Sequence, residues 1–133
     1  MSNKALRTIV ALAASAAAWT GAAHASPAPA PAHSCFPVSA WHGWNSTAGG
    51  DALYLRANLN DVYRVDLSPG SHARKGAGDF LVSKVRGSDW ICSALDLDLA
   101  ISDDMGFKQP LIATGLRKLS PAEVAAIPRK ELP

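Results

Sequence analysis

Trp41-His42-Gly43-Trp44 is the stretch whose residue types come closest to a binding site. Two indoles three residues apart, with a glycine allowing close approach, could stack on a sugar ring or another flat ligand. In a regular strand, however, side chains alternate between faces, so Trp41 and Trp44 point to opposite sides and at least one joins the core. A second constellation is acidic: Asp96, Asp98, Asp103 and Asp104. Hard cations such as calcium want several oxygens converging at about 2.4 Å, often from a loop with a glycine, and Asp103-Asp104-Met105-Gly106 has some of those parts. The calcium-loop spacing D-x-[DN]-x-[DN]-G is absent, and alternation with leucines accounts for Asp96 and Asp98 as a wet strand face.

Other chemistry finds less footing. His33, His42 and His72 are scattered, without the short spacing of a metal pair. The sequence has no G-x-S-x-G elbow, no H-E-x-x-H, no S-x-x-K and no Gly-rich phosphate loop. The residues therefore predict a non-catalytic protein without a cofactor, binding an envelope protein or a small ligand.

The start of the chain reads as an address. Lys4 and Arg7 form a basic head, an apolar run from Thr8 to about Trp19 follows, and Ala23-His24-Ala25 places small residues where a signal peptidase reads. This layout predicts a signal peptide over residues 1–25, cut after Ala25, and a periplasmic or secreted product with no transmembrane segment. The run is shorter than the roughly 20 residues of a membrane span. Cys35 lacks the lipobox that lipidation requires. Of 13 basic residues, Lys4 and Arg7 leave with the leader, so eleven remain against eleven acidic ones. A neutral chain without a basic patch argues against nucleic acid as partner.

Residues 26–34 open with Ser26-Pro27-Ala28-Pro29-Ala30-Pro31-Ala32, a proline–alanine alternation that predicts an extended polyproline-like tether. A β domain is expected over 35–128, with 129–133 as a tail. Its two cysteines, Cys35 and Cys92, are expected to pair in an oxidising compartment and close a loop of nearly sixty residues. Period-two patterns predict strands over 36–44, 52–57, 62–67, 79–85, 95–101 and 111–119, the second and third forming a hairpin around Asn58-Leu59-Asn60-Asp61. Tyr63, Val65 and Leu67 are the inward set of that hairpin, and Ile112, Thr114 and Leu116 share one side of the last strand. Ser120-Pro121-Ala122-Glu123 is a capping box opening a short helix that stops before Pro128. The fold class is all-β with a short C-terminal helix: a curled antiparallel sheet or small barrel of five or six strands. The loops around Gly49-Gly50, Pro69-Gly70 and Asp103-Asp104 are where such a sheet would carry recognition.

In that order, Asp61-Val62-Tyr63-Arg64-Val65-Asp66-Leu67, Trp90-Ile91-Cys92-Ser93 with Leu95-Asp96, and Leu116–Ala126 give the domain its likeness to a known group. It resembles a family of small exported bacterial proteins of unknown function. The resemblance implies a compact periplasmic β domain with disulfide support. Members often carry a second cysteine pair, near Gly70 and near Pro110, and this chain has none there.

Overall fold

The structure is a computed structural model that describes residues 35–133. The expected leader and the tether lie outside the described residues. Among the described residues nine strands form three antiparallel sheets, joined by one short helix and three 3-10 turns.

The smallest sheet pairs β1 (Phe36–Pro37) with β6 (Trp90–Ile91), Phe36 opposite Ile91. The Cys35–Cys92 disulfide sits beside this pair and spans 57 residues of sequence. A 3-10 turn over Val38–Ala40 leads into β2 (Trp41–Ser46), so the first expected strand is split in two. β2, β3 (Ala52–Ala57), β4 (Asp61–Leu67) and β9 (Ala113–Lys118) make the four-stranded sheet, in that spatial order. The β3–β4 hairpin forms as its alternation dictates, with Asn58 in the left-handed region at φ 54° and its side-chain amide donating to Asp61. Gly50, at φ +71°, holds the β2–β3 turn, and a Cβ there would meet the Ala73 carbonyl at 3.0 Å.

β5 (Phe80–Val85), β7 (Leu97–Ser102) and β8 (Lys108–Leu111) form the three-stranded sheet. Pro110 is tolerated because β8 lies at the sheet edge. The main core is shared by both larger sheets: Leu53, Leu55, Tyr63 and Val65 from one, and Leu97, Leu99, Ile101 and Leu111 from the other. Phe36 packs into it with its ring 4.5 Å from that of Tyr63. The opposite face of the four-stranded sheet is covered as well. Tyr54 and Val62 meet Leu119 and Ile127, with Val124 and Leu132 against them. These come from β9's end, α1 (Pro121–Ala126) and the last residues.

Several expectations change. The sheets are not closed into a barrel; β2 and β5 belong to different sheets and each is an edge. The expected strand from Leu95 begins only at Leu97, because the Asp96 carboxylate accepts the Cys92 and Ser93 amides and winds 94–96 into a 3-10 turn. Leu95 is left 83% exposed. The last expected strand is cut at Ile112, whose N–H donates to Ser71 Oγ while its carbonyl accepts from Ser68. That break carries the chain from one sheet to the other and turns Ile112 outward, away from the half-buried Leu116. Residues 129–133 are docked rather than free: Asn45 donates to the Lys130 and Leu132 carbonyls, and Arg56 to that of Pro133. Among the described residues no helix is long and apolar enough to cross a membrane.

A domain of about a hundred residues buries too little surface to waste a cross-link. Closing 57 residues should stabilise the fold by about 4 kcal/mol in the chain-entropy account. Urea unfolding of the Cys35→Ser/Cys92→Ser variant should therefore show a loss of roughly 2–4 kcal/mol; an unchanged midpoint would show that β1 and β6 hold together without it.

Candidate binding groove

The geometry of β2 departs from regular alternation at one residue. Trp41 pairs with Ala57 and Gly43 with Arg56, leaving His42 as an extra residue between them. This is a β-bulge, and it resets which side chains face which way. Without it Trp41 and Trp44 would lie on opposite faces. With it both pack, half-buried, against the main core. Gly43 takes the outer face, where its Cβ position is 3.7 Å from Pro133.

Together the tryptophans line a groove of about 370 Å³ at the seam where edge strands β2 and β5 pass without pairing. Val38, Leu81 and Ser83 supply the remaining walls and His42 stands at the rim, exposed. The Trp41 indole N–H donates to the Gly43 carbonyl at 3.0 Å, which fixes its ring and spends its donor. Lys75 approaches Trp44 twice: Nζ donates to its carbonyl at 3.1 Å and lies 5.3 Å from its ring centre. Ser83 Oγ is shielded from water and has no hydrogen-bond partner. An enclosed hydroxyl without a partner costs stability unless something bonds it. Among the described residues no carboxylate lines the groove, and no hydrogen bond joins Ser83 to His42.

The four aspartates are not brought together. Asp96 caps the 3-10 turn, accepting from the Cys92 and Ser93 amides and from Ser93 Oγ, and the Cys92 amide first of all holds its carboxyl below the usual range. Asp98 pairs with Arg86 at 3.4 Å. Asp103 accepts the Phe107 amide in the turn after β7, and Asp104 is exposed beside Gly78. Asp98 lies near the start of β7 and Asp103 just past its end, about 17 Å of strand apart. Among the described residues no three His, Cys, Asp or Glu side chains are grouped to hold a metal ion. His42 and His72 lie on β2 and in the loop after β4; His33 lies outside the described residues.

A smaller cavity of about 210 Å³ lies between α1 and the sheet, and no motif in the sequence points to it. Arg64 and Arg117 face one another across β4 and β9 there. Like charges so placed repel, and carboxylates offset them: Asp66 at 2.6 Å from Arg64, and Glu123 at 2.6 Å from Arg117. Only the long-range pairing of β4 with β9 creates this juxtaposition, so spacing along the chain gives no sign of it. The cavity's charges are already spent on one another.

Glu123 completes the capping box that opens α1. The Ser120 amide, then Arg117, then the Ser120 hydroxyl lower its pKa from 4.5 to about 2. A carboxylate depressed on folding adds stability above its unfolded pKa, and that contribution disappears as pH falls through the folded value. The cap should thus hold at pH 5 and be lost approaching pH 2. An NMR titration of the Glu123 carboxyl should give a midpoint near 2, moved up by Arg117→Ala; a midpoint near 4.5 in the native chain would show the cap is not formed.

Comparison of the chain with protein-family models, with curated proteins and with solved structures finds no match.

Proposed function

We propose that this chain is an exported, non-catalytic binding module of the bacterial envelope, with the groove between β2 and β5 as its recognition site. The ligand it suits presents a flat apolar face, as a sugar ring or another saturated ring does. The carrying observation is the bulge at His42, which sets two half-buried indoles on one solvent-reachable surface. A strand needs no bulge merely to fill a core, since alternation already supplies an inward face. Export is supported by the leader pattern at residues 1–25 and by the Cys35–Cys92 bridge, which suits an oxidising compartment. The resemblance to small exported proteins points the same way. A cation-binding role is the weaker reading, because the aspartates serve a turn, an ion pair and a loop separately.

The probe for the groove is 1-anilinonaphthalene-8-sulfonate, a flat aromatic anion whose fluorescence rises in apolar surroundings. It should bind the full chain saturably and one to one. Trp44→Ala should weaken binding about tenfold, the scale of one aromatic stacking contact. Leu95→Ala, which removes an exposed apolar side chain in the 3-10 turn before β7, should leave it unchanged. Equal weakening by both variants, or by neither, would count against the groove.

A further inference from the structure

The open edge of β5 beside the two indoles narrows the ligand class, on the reading that the groove is a binding site. We propose that the groove takes an extended segment of a partner protein, added to β5 as a fourth strand of the smaller sheet.

The two larger sheets are unequal. Ile112 joins β8 to β9 on one side, and from there β8, β7 and β5 stand against β9, β4, β3 and β2. β2 is left without a strand opposite, and its inward tryptophans stay half-buried. The backbone of β5 faces the same gap. The Arg86 N–H donates to the Asp96 carbonyl, which makes these two a hydrogen-bonded pair. Such pairs recur at every second residue, so Lys84, Val82 and Phe80 turn their amides and carbonyls to β7. Leu81 and Ser83 turn theirs to the open edge, and their side chains line the groove. The edge of β2 is less open. There the Trp44 carbonyl accepts from Lys75 Nζ, and the Ser46 amide donates to Asn45 Oδ1.

A row of backbone donors and acceptors is matched by another extended backbone, while pockets for its alternate side chains give selectivity. A sugar or an isolated ring covers the indoles and leaves that row unpaired. An antiparallel guest places the residues opposite Ser83 and Leu81 with their side chains inward, over Trp41 and Trp44. The flat apolar face that suits the indoles is then an aromatic side chain at one of these positions. Charge sets the direction. The Lys75 amide donates to Ser46 Oγ, its ammonium lies over Trp44, and residues 76–79 lead from it into β5. Lys75 therefore stands at the Phe80 end of the groove. Among the described residues it joins no ion pair, and no carboxylate lines the groove. An antiparallel guest brings its C-terminal side to that end, where a carboxylate complements the ammonium. The partner segment is thus extended, apolar at alternate residues and acidic at its C-terminal end.

The probe is the peptide Thr-Phe-Thr-Val-Thr-Asp, acetylated and amidated at its ends, titrated into the native full chain. It should displace the dye and shift the backbone amide signals of Leu81 and Ser83. The same peptide N-methylated at phenylalanine and valine keeps its side chains and loses two pairing donors. It should bind about tenfold more weakly. Ser83→Pro removes an edge N–H that β7 does not use, so this variant should bind the dye and lose the peptide. Should it fail to fold, the N-methylated peptide decides alone. Lys75→Gln should weaken the peptide about threefold and leave its asparagine-ended analogue unchanged. Equal binding of the parent and N-methylated peptides would overturn the proposal, as would a native chain that binds the dye but not the peptide. Either result leaves the groove reading intact. Displacement of the dye by chitohexaose and not by the peptide would assign the groove to glycans and overturn the proposal too. Leu81 and Ser83 signals that move with protein concentration alone would give the strand to a second copy, which also overturns it. Dye binding indifferent to Trp44→Ala would remove the groove reading itself.

Discussion

The register of β2 on β3 is the constraint to which both faces of the four-stranded sheet answer. One extra residue, His42, sends Trp41 and Trp44 inward and Gly43 and Asn45 outward. Inward, the indoles cover the open side of the main core and form the groove wall. Outward, the missing side chain at Gly43 leaves room beside Pro133, and Asn45 holds the Lys130 and Leu132 carbonyls. A shift of one residue would exchange these roles, exposing two large aromatic side chains and releasing the end of the chain.

That double duty explains how a small domain finds enough surface to bury. β3 lies inside the sheet with Leu53 and Leu55 on one side and Tyr54 on the other, all buried. The second face needs a lid, and the lid is the capping-box helix with the residues after it: Ile127 and Leu132 meet Tyr54 and Val62. On the first face, the chain passes from the three-stranded to the four-stranded sheet through Ile112, which joins the two sheets on one side only. The other side, between β2 and β5, has no such crossing. The disulfide and the short β1–β6 pair tie the start of the domain near this open side, where Val38 enters the wall. The groove is thus the place where a two-sheet core is closed by side chains instead of by backbone.

Much of the fold was legible because local patterns carried it. The hairpin of β3 and β4 followed from alternation and turn residues, and the inward set Tyr63, Val65 and Leu67 is buried. The helix start followed from Ser120 and Glu123, and the bridge from a pair of cysteines. What was hidden depended on partners distant in sequence. Ser68 and Ser71 break the last strand at Ile112, to which they are distant in sequence. Docking of residues 129–133 depends on Asn45 and Arg56. The site was half legible: Trp41 and Trp44 were identifiable by type, but strict alternation put them on opposite faces, and only pairing with β3 reveals the bulge. Ser83 gave no signal in sequence, since a serine in a strand becomes notable only when its hydroxyl is enclosed without a partner.

The groove exists only if the Trp41 ring points inward, to the same side as Trp44. Nuclear Overhauser contacts in the isotope-labelled full chain decide it directly. Both the Trp41 and Trp44 rings should contact the Leu81 methyl groups, placing them together in the seam between β2 and β5. Contacts from the Trp41 ring to Pro133 or Leu132 instead would put it on the outer face, and the groove would not exist as described.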